Sequence, residues 1–77
     1  MAQGADYILV VHHAEEGGFW AEVPALPGCF GQGETMDDVI ADCRAAIESH
    51  IDALRAEGQP IPDEQISVVS VRLGETA

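Results

Sequence analysis

The chain has 77 residues and a net charge of −11, which arises from fourteen acidic and three basic residues. This length predicts a single domain over residues 1–77. The acidity argues against direct binding of nucleic acid or of an anionic membrane, because both depend on Lys and Arg. Two cysteines are too few for a disulfide scaffold, and neither a signal peptide nor a membrane-spanning apolar run is visible. We therefore expect a cytoplasmic protein that binds a basic partner.

The first elements in chain order are predicted to be antiparallel strands. Residues 6–14 are rich in β-branched and aromatic side chains on both faces, which is typical of a strand buried on both sides. The glycine-containing turn at residues 16–18 leads to a second strand at residues 19–23. The Pro-Gly pair at residues 27–28 fits the centre of a type II turn, and a short third strand is predicted at residues 29–32.

An amphipathic helix is the clearest signal in the chain. Thr35 is a good N-cap, and apolar residues then recur at helical spacing until Gly58, which predicts about 22 helical residues. Residues 66–73 carry apolar side chains on both faces and predict a fourth strand. The fold class is therefore α+β, in the order β-β-β-α-β. It comprises a three-stranded antiparallel meander, one helix and a fourth strand parallel to the first.

One helix can cover only one face of such a sheet. Phe19 and Trp20 are consecutive in the second strand, so their side chains point to opposite faces of the sheet. One of these two aromatic side chains therefore lies on the uncovered face. An exposed apolar patch in a soluble protein usually marks an interface. We therefore expect a homodimer or a higher homo-oligomer, with the two-fold dimer as the simplest form.

The residues that could carry chemistry are few. Adjacent His12 and His13 point to opposite faces of a strand, so they cannot easily bind one metal ion, and Cys29 has no neighbouring base to activate it. We predict no catalytic residue, no metal site and no cofactor, and thus no enzyme. One alternative stays open, a divalent-metal nuclease that uses four carboxylates: Asp6, Glu22, Glu34 and Asp38.

Several short motifs occur in the order found in one protein family. They are the segments at residues 17–24, 26–30, 33–35, 45–47 and 58–62. Together they span most of residues 6–73, and this order of turn residues and aromatics resembles the HicB antitoxin family. The resemblance implies a partial RNase H-like fold, which agrees with the predicted order of elements.

The resemblance also implies a function and a partner. HicB proteins neutralise HicA, a small basic mRNA-cleaving ribonuclease with a double-stranded-RNA-binding fold, and an acidic antitoxin can do so by masking the RNA-binding and catalytic surface. From charge and strand parity, the predicted contact residues are Trp20, Glu22, Glu34, Asp37 and Asp38. The chain ends soon after the fourth predicted strand, so we expect no C-terminal DNA-binding domain. The alternative is an orphan homo-oligomeric domain without a toxin.

Overall fold

The amino-terminal half folds as a three-stranded antiparallel meander. The computed structural model describes residues 6–63 and 67–74. Its strands are β1 (Val10–His13), β2 (Phe19–Glu22) and β3 (Phe30–Gly33), in the sheet order β1-β2-β3, and helix α1 (Met36–Ala56) follows. The predicted α+β class, the meander and the helix are confirmed.

The strand bounds differ slightly from the prediction. β1 has four residues rather than the nine of residues 6–14, because its pairing with β2 stops where Val10 lies opposite Glu22. Pro24, just beyond β2, has no backbone N–H with which to extend the ladder. The predicted Pro-Gly turn is confirmed, since the Cys29 N–H donates to the Leu26 carbonyl at 3.0 Å and Gly28 has a φ of +84°.

Both ends of helix α1 are formed by the residues that the sequence predicts. Thr35 has extended backbone angles, and its Oγ1 accepts a hydrogen bond from the Asp38 N–H at 3.1 Å. At the other end, the Gly58 N–H donates to Arg55 O and the Gln59 N–H to Leu54 O, and Gly58 has a φ of +69°. This pair of bonds is the Schellman motif, which needs a left-handed residue at the position that glycine fills.

Replacing Thr35 with alanine should lower the free energy of unfolding by about 1 kcal/mol, because the N-terminal end of the helix loses its side-chain acceptor. Ser49→Ala is the matched control, because Ser49 is an exposed residue within the same helix. Urea unfolding followed by circular dichroism measures both. Equal midpoints for the two variants would show that the Thr35 cap does not stabilise the fold.

Helix α1 packs directly on the backbone of β3 because the two residues on the inner face of this strand are glycines, which have no side chain. A Cβ placed on Gly31 would lie 2.6 Å from Cys43 Sγ and 2.8 Å from the Cys43 backbone nitrogen. A Cβ on Gly33 would lie 2.5 Å from the Val39 nitrogen. Two small buried clusters complete the core, and their members are Ala21, Val39 and Cys43, and Val23, Leu26 and Cys29.

The predicted fourth strand at residues 66–73 requires a correction. Ile66 lies outside the described residues, and residues 67–73 belong to no strand of the described sheet. Their large apolar side chains are between 75% and 85% exposed, and these are Val68, Val69, Val71 and Leu73. The sequence pattern favours a strand, but a strand also needs a neighbouring strand to pair with.

Candidate protein-binding surface

The face of the sheet that helix α1 does not cover carries a cluster of large side chains. Strand register places Trp20 opposite His12 on one side, and Glu22 opposite Phe30 on the other. Ala21, which lies between Trp20 and Glu22 in the chain, points the other way and is buried under the helix. We call His12, Trp20, Glu22 and Phe30 the outer patch.

Contacts within the outer patch hold Trp20 in one orientation. The His12 ring stacks on the indole, with centroids 4.1 Å apart and planes 14° from parallel, and the Phe30 ring lies 6.5 Å away. Trp20 is nevertheless 39% exposed and Phe30 55% exposed. An aromatic side chain that is already fixed loses little conformational entropy on binding, which favours it as an anchor for a partner protein.

Glu22 adds a negative charge to the outer patch and fixes His12. His12 Nε2 lies 2.9 Å from Glu22 Oε2. A carboxylate only accepts hydrogen bonds, so this nitrogen carries the proton and donates. Both side chains are about two-fifths exposed, and a pair in such contact with water contributes little to stability. Its role here is to position the ring that stacks on Trp20.

The other three predicted contact residues lie elsewhere. Glu34 is in the connection between β3 and α1, and Asp37 and Asp38 are in the first turn of the helix, where their charges suit the helix dipole. All three are exposed. Within residues 6–63 and 67–74, no hydrogen bond or ion pair joins them to Trp20 or Glu22. The structure thus brings together two of the five predicted residues, and the other three form a separate acidic edge, Glu34, Asp37 and Asp38.

His12 and Phe30 are members of the outer patch that sequence reasoning did not select. In the sequence, His12 stands out only as a possible metal ligand, and Phe30 only as part of a family motif. His12 lies opposite Trp20 because the hairpin is centred on Glu16, and the glycine pair at residues 17–18 does not by itself determine this register. Phe30 needs the register of the third strand, which the sequence alone does not determine.

The carboxylates of the nuclease alternative do not converge. Among the described residues, which include all four of them, no group of three or more His, Cys, Asp or Glu side chains could hold a metal ion. His12 and His13 lie on opposite faces, as predicted, and His13 packs edge-on against Phe19 with ring centroids 4.9 Å apart.

Both cysteines are free and buried. Burial raises the pKa of the Cys29 thiol, and burial together with the nearby charges of Cys29 and Asp42 raises the pKa of Cys43. A raised thiol pKa favours the uncharged form, which is the less reactive one. The two residues therefore act as small apolar core side chains.

Alkaline pH should destabilise the protein through these thiols. In the unfolded chain the Cys43 thiol ionises near its ordinary value of 9.0, whereas the folded protein holds the proton to higher pH. Stability is therefore complete below pH 9 and falls as the pH rises through the raised folded pKa values. Thermal unfolding between pH 7 and 10.5 measures this loss, which should be smaller in a Cys43→Ala variant. The chain has no lysine and a single tyrosine, so few other groups titrate in this range. Equal slopes in both proteins would contradict the expectation.

Comparison with known proteins extends these observations. The family model described as HicB_like antitoxin of bacterial toxin-antitoxin system matches residues 7–73. UPF0150 protein ssr1765 of Synechocystis sp. is 38% identical over 63 residues, which cover 82% of this chain and 80% of that protein. UPF0150 protein Ta0767 of Thermoplasma acidophilum is 32% identical over 65 residues, which cover 84% of this chain and 94% of that protein.

A solved structure supports the same relationship. The chain matches one described as the HicA3 and HicB3 toxin-antitoxin complex with a TM-score of 0.64 and 33% identity, over 79% of this chain and 70% of the matched chain. No helix among the described residues is long and apolar enough to span a membrane. The family match covers nearly the whole meander, helix and C-terminal segment. The chain therefore belongs to the family of HicB-like antitoxins of bacterial toxin–antitoxin systems.

Proposed function

We propose that this chain is an antitoxin that binds a small basic HicA-type toxin and masks the surface with which the toxin binds and cleaves RNA. Family membership supports an antitoxin role, and the similar solved complex, described as containing HicA3 and HicB3, supports this class of partner. The observation that carries the proposal is the outer patch: an exposed, pre-oriented Trp20 that lies beside a carboxylate.

The outer patch can supply the affinity of the complex. Aromatic residues that become buried at the centre of an interface dominate binding energy, whereas rim contacts contribute little. Trp20 on the central strand and Phe30 on the neighbouring strand β3 present apolar area on the open sheet face, and Glu22 can pair with an Arg or Lys of the toxin. On binding, this carboxylate would exchange part of its interaction with His12 for a stronger charge-assisted hydrogen bond.

The acidic character of the chain can supply the association rate. With a net charge of −11, the protein attracts a basic partner over a distance and speeds encounter by roughly 10–1000-fold at low salt. The acidic edge would then lie near the rim of the complex, where charge affects the association rate more than the lifetime. Glu34, Asp37 and Asp38 are thus proposed as steering residues, and Trp20 and Glu22 as contact residues.

The proposal is tested with the small basic protein encoded beside this chain, where such a reading frame exists. Both proteins are produced together and separately, and size-exclusion chromatography with light scattering measures complex formation. RNA cleavage by the basic protein is measured alone and with an equimolar amount of this chain. We expect a stable complex and loss of cleavage, with a slower association rate at 0.5 M salt than at 0.05 M.

Two controls separate the possible results. A catalytically inactive toxin variant should still bind, because masking does not require chemistry. Unrelated ribonucleases should not be inhibited. Absence of a complex, with this chain remaining a homo-oligomer, would contradict the proposal and favour the orphan-domain alternative.

A further inference from the structure

A small cleft lies where the open sheet face meets its β3 edge. Its volume is about 310 Å³, and the residues that line it are Trp20, Phe30, Gly31, Gln32 and Asp42. We call this the edge cleft. Such a volume is at the lower end of the range for ligand sites. The edge cleft therefore suits one side chain of a partner rather than a strand or a helix.

The edge cleft has one aromatic face available. His12 on β1 covers one face of the Trp20 indole, with ring centroids 4.1 Å apart. β3 lies on the other side of β2 from β1, so the second indole face is directed toward the cleft. The Phe30 ring is 6.5 Å from the indole and tilted by 49°, so the two rings do not stack on each other. The cleft thus presents the face of a tryptophan, which is the side chain that attracts cations best.

Asp42 supplies an oriented carboxylate at the same place. Its Oδ2 accepts a hydrogen bond from the Gln32 backbone N–H at 2.8 Å, which joins helix α1 to the edge of β3. Asp42 is exposed, and in the part of the chain that the structure describes no positively charged side chain pairs with it. Arg44 and Arg55 line a separate groove. The second oxygen of this carboxylate, Oδ1, is therefore available to a positively charged group of a partner.

A partner that covers Trp20 and Phe30 also covers this carboxylate. An ionised carboxylate that loses its water without gaining a positive charge strongly destabilises a complex. Glu22, in the outer patch, already has His12 beside it. The partner must therefore supply a positive charge to Asp42 in particular.

We propose that the edge cleft binds one arginine side chain of the toxin, with the guanidinium stacked on Trp20 and paired with Asp42; this assignment rests on the proposed function, since it concerns the same complex. The guanidinium is planar and stacks on an aromatic face. Its several N–H donors can reach the Asp42 carboxylate and the side-chain carbonyl of Gln32 at once. Lysine offers a compact, strongly hydrated charge without this planar fork.

The edge cleft gives the complex a specificity that the net charge does not. A net charge of −11 attracts any basic protein. A basic protein without an arginine at the matching place would leave Asp42 covered and unpaired, so this chain discriminates against it by a penalty. Asp42 is thus a specificity-determining residue, whereas the acidic edge acts on the rate of encounter.

Asp42→Asn tests the carboxylate. The asparagine side-chain oxygen can still accept the hydrogen bond from Gln32, so the variant keeps the contact between helix and strand but loses the charge. We expect it to bind the basic toxin about tenfold more weakly than the wild type in titration calorimetry at 0.15 M salt. Asp52→Asn removes the same charge from an exposed position of the same helix outside the cleft and should bind within about twofold. Circular dichroism checks that both variants fold.

The arginine is identified from the toxin. Each toxin arginine is replaced in turn with glutamine, and each variant is titrated with the wild type and with Asp42→Asn. We expect one arginine whose loss weakens binding to the wild type about tenfold more than binding to Asp42→Asn, because only the wild type then holds an unpaired carboxylate. Lysine at that position should still bind about threefold more weakly than arginine.

The outcomes distinguish the arginine site from the proposed function. A wild type that forms no complex with the toxin contradicts both. If the wild type binds but Asp42→Asn binds as well as Asp52→Asn, or if no toxin arginine is coupled to Asp42, the arginine site alone is overturned. Lysine that binds as well as arginine would overturn the assignment to a guanidinium.

Discussion

Trp20→Ala should weaken binding of the basic toxin by about 30-fold or more. This corresponds to roughly 2 kcal/mol, the threshold for a residue that dominates an interface. The indole is the centre of the outer patch, where His12 stacks on one face and Phe30 lies alongside. Its removal deletes the main apolar contact and leaves His12 without the ring that orders it. Titration calorimetry or surface-based kinetics at 0.15 M salt measures the change, which should appear chiefly in the dissociation rate.

Met36→Ala is the matched control for Trp20→Ala. Met36 is 43% exposed, close to the 39% of Trp20, but it starts helix α1 and lies outside the outer patch. This variant should bind the toxin within twofold of the wild type. Circular dichroism checks that both variants fold. Unchanged affinity in Trp20→Ala would show that the toxin binds another surface, with the acidic edge as the next to test.

Gly31→Ala should lower the free energy of unfolding by about 2–3 kcal/mol, which is the usual cost of forcing an extra group into a packed core. The new Cβ would meet not only Cys43 Sγ at 2.6 Å but also the Cys43 backbone nitrogen at 2.8 Å. Backbone cannot rotate away as a side chain can, so the helix and strand must separate. A domain this small has only about 3–5 kcal/mol of stability, so the variant should melt some 10–20 °C lower.

Gly74→Ala is the control for Gly31→Ala, because a Cβ at Gly74 meets no atom within 4 Å. It should change the melting temperature by less than 3 °C. Adding Cys43→Ala to Gly31→Ala should restore only part of the loss, since the backbone contact remains. A Gly31→Ala protein that melts with the wild type would contradict the close approach of helix and strand.

Local signals made most of the fold predictable. Thr35 and Gly58 mark the ends of helix α1 in the sequence because capping chemistry involves residues close in the chain. The turn at Gly28 follows from the same kind of local rule. Residues 66–73 show the limit of such rules: their pattern is that of a strand, but no local signal says whether a neighbouring strand is available to pair with them.

The candidate site was only partly predictable. Trp20 and Phe19 are consecutive in a strand, so the sequence predicts that one of them lies on the open face, and the structure shows that it is Trp20. The position of Phe30 depends on the β2–β3 register. The charge of Asp38 predicts a contact residue, although its backbone N–H belongs to the helix cap. The sequence shows which residues are acidic, but it does not show which of them lie close together in the folded chain. Their proximity depends on contacts between distant parts of the chain.

The bare inner face of β3 has a consequence for the order of folding. Within this strand only Gly31 and Gly33 point toward helix α1, so β3 brings no apolar side chain of its own to that contact. Burial of apolar side chains can therefore bring the β1–β2 hairpin and helix α1 together early in folding. It provides no comparable driving force for β3, which has no apolar side chain on its inner face. The strand gains its interactions only when β2 and the helix are both present to flank its backbone. We therefore expect β3 to join late, after the rate-limiting step that assembles the hairpin and helix.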